Sequence, residues 1–218
     1  VTLGLILVAK DIGTPFLMAC VVGAMLFVSG ARLKQLGAVC LAVLPIVLHQ
    51  LFFVKYRRDR ILSFLHPESD PGNNGYQLIR SFTAVGSGGW LGKGLGNSEL
   101  KLEYLPAAHT DFIFSVACEE LGFVGAGIII LLIAFIVFRC FYIALKAKDD
   151  LGSYIAIGVA SMILVQSLEN IGMTLGLTPV TGITLPFLSY GGSSMLTNYI
   201  AIGLVLNVKI RSKKINFM

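Results

Sequence analysis

Residues 112–138 read FIFSVACEELGFVGAGIIILLIAFIVF, and Glu119 and Glu120 are the only charged side chains among them. A run of this length crosses about 30 Å of hydrocarbon as a helix. Lipid offers peptide groups no partners, so the backbone must pair within its own segment. Further apolar runs lie at 14–30, 36–54, 153–173 and 191–208, and residues 1–9 read as the tail of another span. The expectation is an all-α, polytopic membrane helix bundle, one transmembrane domain over residues 1–218. Composition agrees, with 13% charged residues and 56% hydrophobic, against about 25% charged in soluble domains. Val1 opens inside an apolar run, so the chain is expected to be a fragment of a longer protein.

Short basic loops set the expected orientation. Arg32 and Lys34, Lys146 and Lys148, and the tail Lys209, Arg211, Lys213 and Lys214 fall on one side if each run crosses once. That side is the cytoplasm by the positive-inside rule. Residues 55–110 and 174–190 then lie outside. KYRRDR at 55–60 runs against the rule, but in a stretch close to the length where the rule weakens. Within this loop, Leu78, Ile79, Phe82 and Val85 predict a short amphipathic helix at the interface. The following GSGGWLGKGLG, 86–96, has too many glycines for helix, and its Trp90 suits an interfacial anchor.

The net charge of +5 fits the anionic leaflet, and no basic face with exposed aromatics points to nucleic acid. Cys20, Cys40, Cys118 and Cys140 sit in apolar stretches without metal spacing and read as free thiols.

A carboxylate in hydrocarbon is costly unless partnered or facing water. Asp111, Ser115 and Glu119 are spaced by four on the predicted helix, which suggests a polar cleft descending from the outer surface, while Glu120 points elsewhere. Asp111 is either a helix cap, which would hold its carboxyl below the usual range, or a working acid. Glu119 and Glu120 are cavity or packing residues, as are Glu169 and Asn170 near the outer end of their span. Pro179 and Pro186 stop helix in the 178–194 loop, and Ser193 and Ser194 read as N-caps of the last span. That helix start would suit a phosphate, with Asn198 one turn in. Lys93, Lys101 and Arg80, with the 55–60 cluster, supply cations nearby. This combination suits a transporter or an enzyme acting on an anionic amphiphile.

Several long segments, in order, resemble the SEDS family of shape, elongation, division and sporulation proteins (FtsW, RodA and SpoVE). They are KDIGT (with Lys10 where proline is usual), FLHPESDP, GYQLI, GSGGWLGKGLGNS, YLPAAHTDFIFSVACEELGFVG and NIGMTLGLTPVTGITLPFLSYGGSS. The resemblance implies a multi-pass protein of about ten helices in the bacterial cytoplasmic membrane, with its active face extracytoplasmic. It implies a glycosyltransferase that polymerises lipid II, carried on undecaprenyl pyrophosphate, into β-1,4 glycan. A class B penicillin-binding protein would be its partner, and a divalent cation (Mg or Mn) its cofactor, with no ligands assigned. The family's essential acid matches Asp111, as general base; Lys93, Lys101, Arg80, Ser193, Ser194 and Asn198 would bind substrate. GLGNSELKLEYLPAAHTDFIF leans to the division type and PESDP and PVTG to the elongation type, with the balance slightly to FtsW. A lipid II flippase, or a non-catalytic scaffold for the penicillin-binding protein, would share the cavity without needing a base.

Overall fold

The structure is a computed structural model that describes residues 13–69, 74–98 and 109–212, without the side chains of 40, 43, 46–53, 55, 56, 69 and 74. These residues form helices α1 (Gly13–Val28), α2 (Leu33–Phe53), α3 (Lys55–Leu65), α4 (Asn74–Ser87), α5 (Ile113–Leu145), α6 (Asp150–Thr174) and α7 (Gly192–Ser212). A single 3-10 turn, Pro67–Ser69, joins them, and no strand occurs among the described residues. By length and hydropathy α5, α6 and α7 can cross a membrane, and α1 is a shorter apolar helix. KYRRDR, expected in a loop, instead forms the start of α3, separated from α2 only by the extended Val54.

α6 is the hub, packing on α5, α1 and α7. Small residues let the helices approach closely. A Cβ at Gly158 would meet Met25 Sδ of α1 at 3.1 Å, and one at Gly152 would meet Val208 of α7 at 3.1 Å. Ala156, Ala160 and Ile163 then bury against Ile133, Val137, Cys140 and Val205. Asp149 caps α6, accepting from Gly152 N at 3.2 Å. These contacts gather the α1–α2 turn, the α5–α6 turn and the end of α7 at one end of the bundle. The described parts of the three basic segments, ending at Lys209 and Arg211 in α7, therefore share an end, as their charges predict. Gly13 at the start of α1 packs on Thr181 and Ile183 at the other end.

α5 would be about 50 Å long as a continuous helix, well beyond a bilayer core. It is broken at Gly122, whose φ of 69° and ψ of −170° are not helical. The break removes the helical partners of the Glu119 and Glu120 carbonyls and of the Phe123 and Val124 N–H groups. The glycine-rich loop after α4 replaces every one. Lys93 N donates to Glu119 O at 2.9 Å, and Gly94 N to Glu120 O at 3.0 Å. Phe123 N donates to Gly89 O at 2.9 Å, and Val124 N to Trp90 O at 3.2 Å. Residues 123–145 still span about 35 Å, so the membrane-crossing part of α5 begins below the two glutamates.

The loop's glycines serve this close approach rather than tight turning alone. A Cβ at Gly92 would lie 2.2 Å from Glu120 O, and one at Gly122 would lie 2.3 Å from Gly92 N.

α4 forms where a short amphipathic helix was expected. Leu78, Ser81 and Ala84 are buried, while Ile79 and Phe82 are exposed. The face is set by what covers it: Ser81 sits against α5 and the end of α6, so a polar residue takes the deepest position.

Gly92→Ala and Gly122→Ala should each destabilise the protein by about 2 kcal/mol or more, through positive φ and backbone clash. Gly127→Ala, which meets nothing within 4 Å, should be close to neutral. Thermal unfolding of the purified full-length protein in detergent checks the contrast.

Candidate functional site

The stripe Asp111, Ser115, Glu119 is present on α5, but it does not line an open cleft. Ser115 Oγ is 2.6 Å from Ser81 Oγ of α4, which also donates to Thr174 O at 2.8 Å. Glu119 is fully buried. Its carboxylate accepts from Lys93 Nζ at 2.9 Å, Ser98 Oγ at 2.5 Å and Ser87 Oγ at 3.4 Å. The loop that repairs the Gly122 break thus also delivers the partners that a buried carboxylate requires. Glu120 is buried too, with its carbonyl taken by Gly94. Ser81, Ser87 and Ser98 escaped sequence reasoning, because isolated serines carry no signal of a buried acid far along the chain.

Asp111 is different. The N-cap of α5 is Phe112, and no side chain caps the helix, so Asp111 is not the cap that the sequence suggested. Nor is its carboxyl held low. Burial pushes it above the usual aspartate range, and a hydrogen bond from Thr110 and the charge of Arg60 offset only part of that. Its Oδ2 would lie 3.5 Å from a Cβ on Gly182, which itself has a φ of +80°. Arg60, from the basic cluster, donates through one Nη to Val180 O at 2.9 Å and to Thr181 O at 3.3 Å. A cationic side chain and a glycine turn therefore flank the carboxylate.

The backbone at Asp111 is anchored residue by residue. His109 O accepts from Tyr190 N at 2.9 Å. Thr110 O accepts from Ser189 Oγ at 2.7 Å, and that hydroxyl accepts from Leu185 N at 2.7 Å. Asp111 O accepts from Asn170 Nδ2 at 2.8 Å, and the same amide donates to Ile183 O at 2.7 Å. Three consecutive carbonyls are each held by α6 or by the 183–190 loop, which fixes the position of the acid. Beside it lies a cavity of about 520 Å³ lined by His109, Ile113, Leu188, Ser189, Tyr190, Gly191, Gly192 and Met195. His109 and Ile113 bracket Asp111 in sequence, but the carboxylate itself faces Gly182 and Arg60.

The other expected residues divide. Lys93 is engaged with Glu119, about 12 Å along the helix from position 111, rather than turned to Asp111. Arg80 lies over the Tyr76 ring at 5.0 Å. Lys101 lies outside the described residues. Ser193 and Ser194 are not N-caps: α7 already begins at Gly192, and Ser194 Oγ donates back to Gly191 O at 3.0 Å. Ser193 O accepts from Thr197 Oγ1 at 2.8 Å, as an ordinary first-turn residue. Asn198 and Glu169 are buried, and Glu169 O accepts from Thr178 Oγ1 at 3.3 Å. Cys20, Cys118 and Cys140 are free, and Cys40 lies outside the described side chains.

Among the described residues no three His, Cys, Asp or Glu side chains converge as metal ligands. Magnesium and manganese favour oxygen donors, usually one or two carboxylates with substrate phosphates. Asp111 brings one carboxylate beside Arg60, so phosphate oxygens of a substrate would have to supply further donors to such an ion.

The family model described as "Cell cycle protein", for FtsW, RodA and SpoVE, matches residues 1–214. The chain is 42% identical over 213 residues to the probable peptidoglycan glycosyltransferase FtsW of Geobacter sulfurreducens, covering 98% of this chain and 57% of that protein. It is 46% identical over 209 residues to stage V sporulation protein E of Bacillus subtilis, covering 96% and 57% respectively. The chain thus spans a little over half the length of the curated relatives it matches. A solved peptidoglycan synthase complex, described as coordinating polymerization and crosslinking, contains a chain similar at 32% identity and a TM-score of 0.75, with 98% and 60% covered. The rod shape determining protein RodA of Thermus thermophilus is similar at 29% identity and a TM-score of 0.64, with 98% and 54% covered.

Lys93→Met should leave Glu119 as an uncompensated buried charge and cost on the order of 3 kcal/mol. Adding Glu119→Gln should recover part of that loss. Thermal unfolding of wild type, both single variants and the double variant closes the cycle. A double variant no more stable than Lys93→Met would show that charge compensation is not what the pair supplies.

Proposed function

Because this chain belongs to the FtsW, RodA and SpoVE family of cell cycle proteins, we propose that its parent protein polymerises lipid II into β-1,4 glycan at the outer face of the bacterial cytoplasmic membrane. The observation that carries the reading is Asp111: a half-buried carboxylate with its pKa raised, rigidly held at the end of the bundle away from the basic loops. A base works best when its pKa approaches the operating pH, and an upward shift moves an aspartate in that direction.

Asp111 takes the proton of the acceptor sugar's 4-hydroxyl as that oxygen attacks the donor's anomeric carbon. The new C–O bond forms while the bond to undecaprenyl pyrophosphate breaks, and the pyrophosphate leaves with the electron pair. Single displacement inverts the α-linked donor to a β product. One carboxylate suffices, because pyrophosphate needs no protonation to leave, unlike the alkoxide of the two-carboxylate hydrolases. Arg60 supplies positive charge beside the reaction, where developing charge on phosphate is stabilised electrostatically. Its hydrogen bonds to Val180 O and Thr181 O hold the 180–183 turn against Asp111. Lys101, Arg80, Ser193 and Ser194 stay in the reading as substrate contacts. No step is routed through a divalent cation.

The likeness to a peptidoglycan synthase complex supports a class B penicillin-binding protein as partner. The relatives named FtsW and the likeness to a rod shape determining RodA support a role in cell division or elongation alike.

The decisive assay uses the full-length parent with its partner, lipid II, and magnesium or manganese as separate arms. Asp111→Asn should lower polymer formation at least a hundredfold while the protein stays folded. Polymer at the wild-type rate would remove Asp111 as base. Lipid II movement across liposomes, unaffected by Asp111→Asn, would favour a flippase instead.

The pH profile tests the same residue independently. Activity needs the ionised carboxylate, so kcat/KM should fall as pH drops through a pKa above the usual aspartate value. Arg60 favours the ionised form. Arg60→Gln should therefore move the acidic limb to higher pH, and Arg60→Lys should hold it near wild type.

A further inference from the structure

The loop after α4 presents three large apolar side chains outward: Trp90 is 73% exposed, Leu91 81% and Leu95 77%. Exposed chains on a mobile loop would carry no argument, but this loop is fixed. Four backbone hydrogen bonds join it to the Gly122 break, and Lys93 and Ser98 join it to Glu119. Gly88 and Gly92 lie so close to the α5 backbone that a Cβ at either would reach 2.0 Å and 2.2 Å from a carbonyl oxygen. Its outward face is therefore set by the same contacts that complete α5.

That face is continuous with an exposed apolar side of α5. The Trp90 ring packs edge-on against Phe123 at 5.3 Å between centroids. Phe123 opens the membrane-crossing part of the helix and is 68% exposed, and Leu131 and Phe135 farther along are exposed as well. An apolar surface that continues upward from a lipid-facing helix, and ends in a tryptophan, has the chemistry of the interfacial belt. The indole ring sits among acyl chains there, with its N–H toward the headgroups.

We propose that residues 88–96 form a rigid interfacial wedge whose Trp90, Leu91 and Leu95 enter the acyl–headgroup boundary of the bilayer at the Asp111 end of the bundle. The wedge sets the depth of α5, and hence of the acid three turns above its break, relative to the headgroup plane. The inference rests on the exposed apolar face and its continuity with α5, not on the catalytic reading, and its test does not measure catalysis.

The experiment uses the full-length parent in lipid nanodiscs, with native cysteines replaced and a nitroxide label at Leu91→Cys, Leu95→Cys or Asn97→Cys. Collision with oxygen should exceed collision with a water-soluble nickel chelate severalfold at 91 and 95, and the order should reverse at 97. Nickel collision dominant at 91 and 95 would put the loop in water and overturn the proposal. Weak collision with both reagents would put those side chains against protein, whether the rest of the parent or a partner, and would overturn it equally. A second measurement avoids any change in the loop: brominated acyl chains should strongly quench Trp90 fluorescence, in a background with other tryptophans replaced by phenylalanine. Absence of quenching would contradict the wedge.

Discussion

Two carbonyls and two N–H groups, orphaned where Gly122 interrupts α5, set the terms for the rest of this end of the molecule. Peptide groups withdrawn from water must be paired. The pairing segment must also lie close enough that only glycine fits at the contact. The GSGGWLGKGLG stretch meets both conditions, donating twice and accepting twice across the break. Once it is docked, Lys93 and Ser98 fall within reach of Glu119. A buried acid that looks unaffordable in an apolar helix is then satisfied by the segment that repairs the helix.

The break also separates two environments on one element. Below Gly122, residues 123–138 of α5 are uniformly apolar and suited to lipid, and Arg139 and Tyr142 follow only toward its far end. Above it, the short segment 113–121 carries Ser115 and Glu119 against α4 and the loop, and Asp111 lies just before it. Asp111 alone of the three stripe residues keeps access, and it does so with its backbone held by Asn170, Ser189 and Tyr190. Rigid support with a partly shielded carboxylate is the arrangement that raises a pKa without losing position.

The basic cluster at 55–60 has a local reason to oppose the charge rule. Arg60 donates to the Val180 and Thr181 carbonyls and lends charge to Asp111. An arginine so engaged is tied to the 180–183 turn, which the positive-inside rule, written for solvated loop charges, does not describe. The other basic segments, at the ends of α1, α5 and α7, sit together at the opposite end of the bundle.

The long apolar helices and their approximate limits were legible in the sequence because hydrophobic runs of bilayer length admit no other backbone, whereas the charged α3 (Lys55–Leu65) was not. The free thiols and the outward Trp90 were legible for similar reasons of composition. Asp111 stood out as an acid at a helix mouth, and only the resemblance favoured it over a simple cap. What the sequence left undecided were pairings between residues distant along the chain. Nothing in the spacing discloses that Lys93 meets Glu119. Ser193 and Ser194 read as caps until α7 is seen to start one residue earlier. The apolar pattern of α4 does not disclose that Ser81, rather than Phe82, faces the interior. Residue spacing records what a helix repeats every turn. Which carboxylate is neutralised and which stays open depends on where a separate loop lands, and tertiary packing alone determines that.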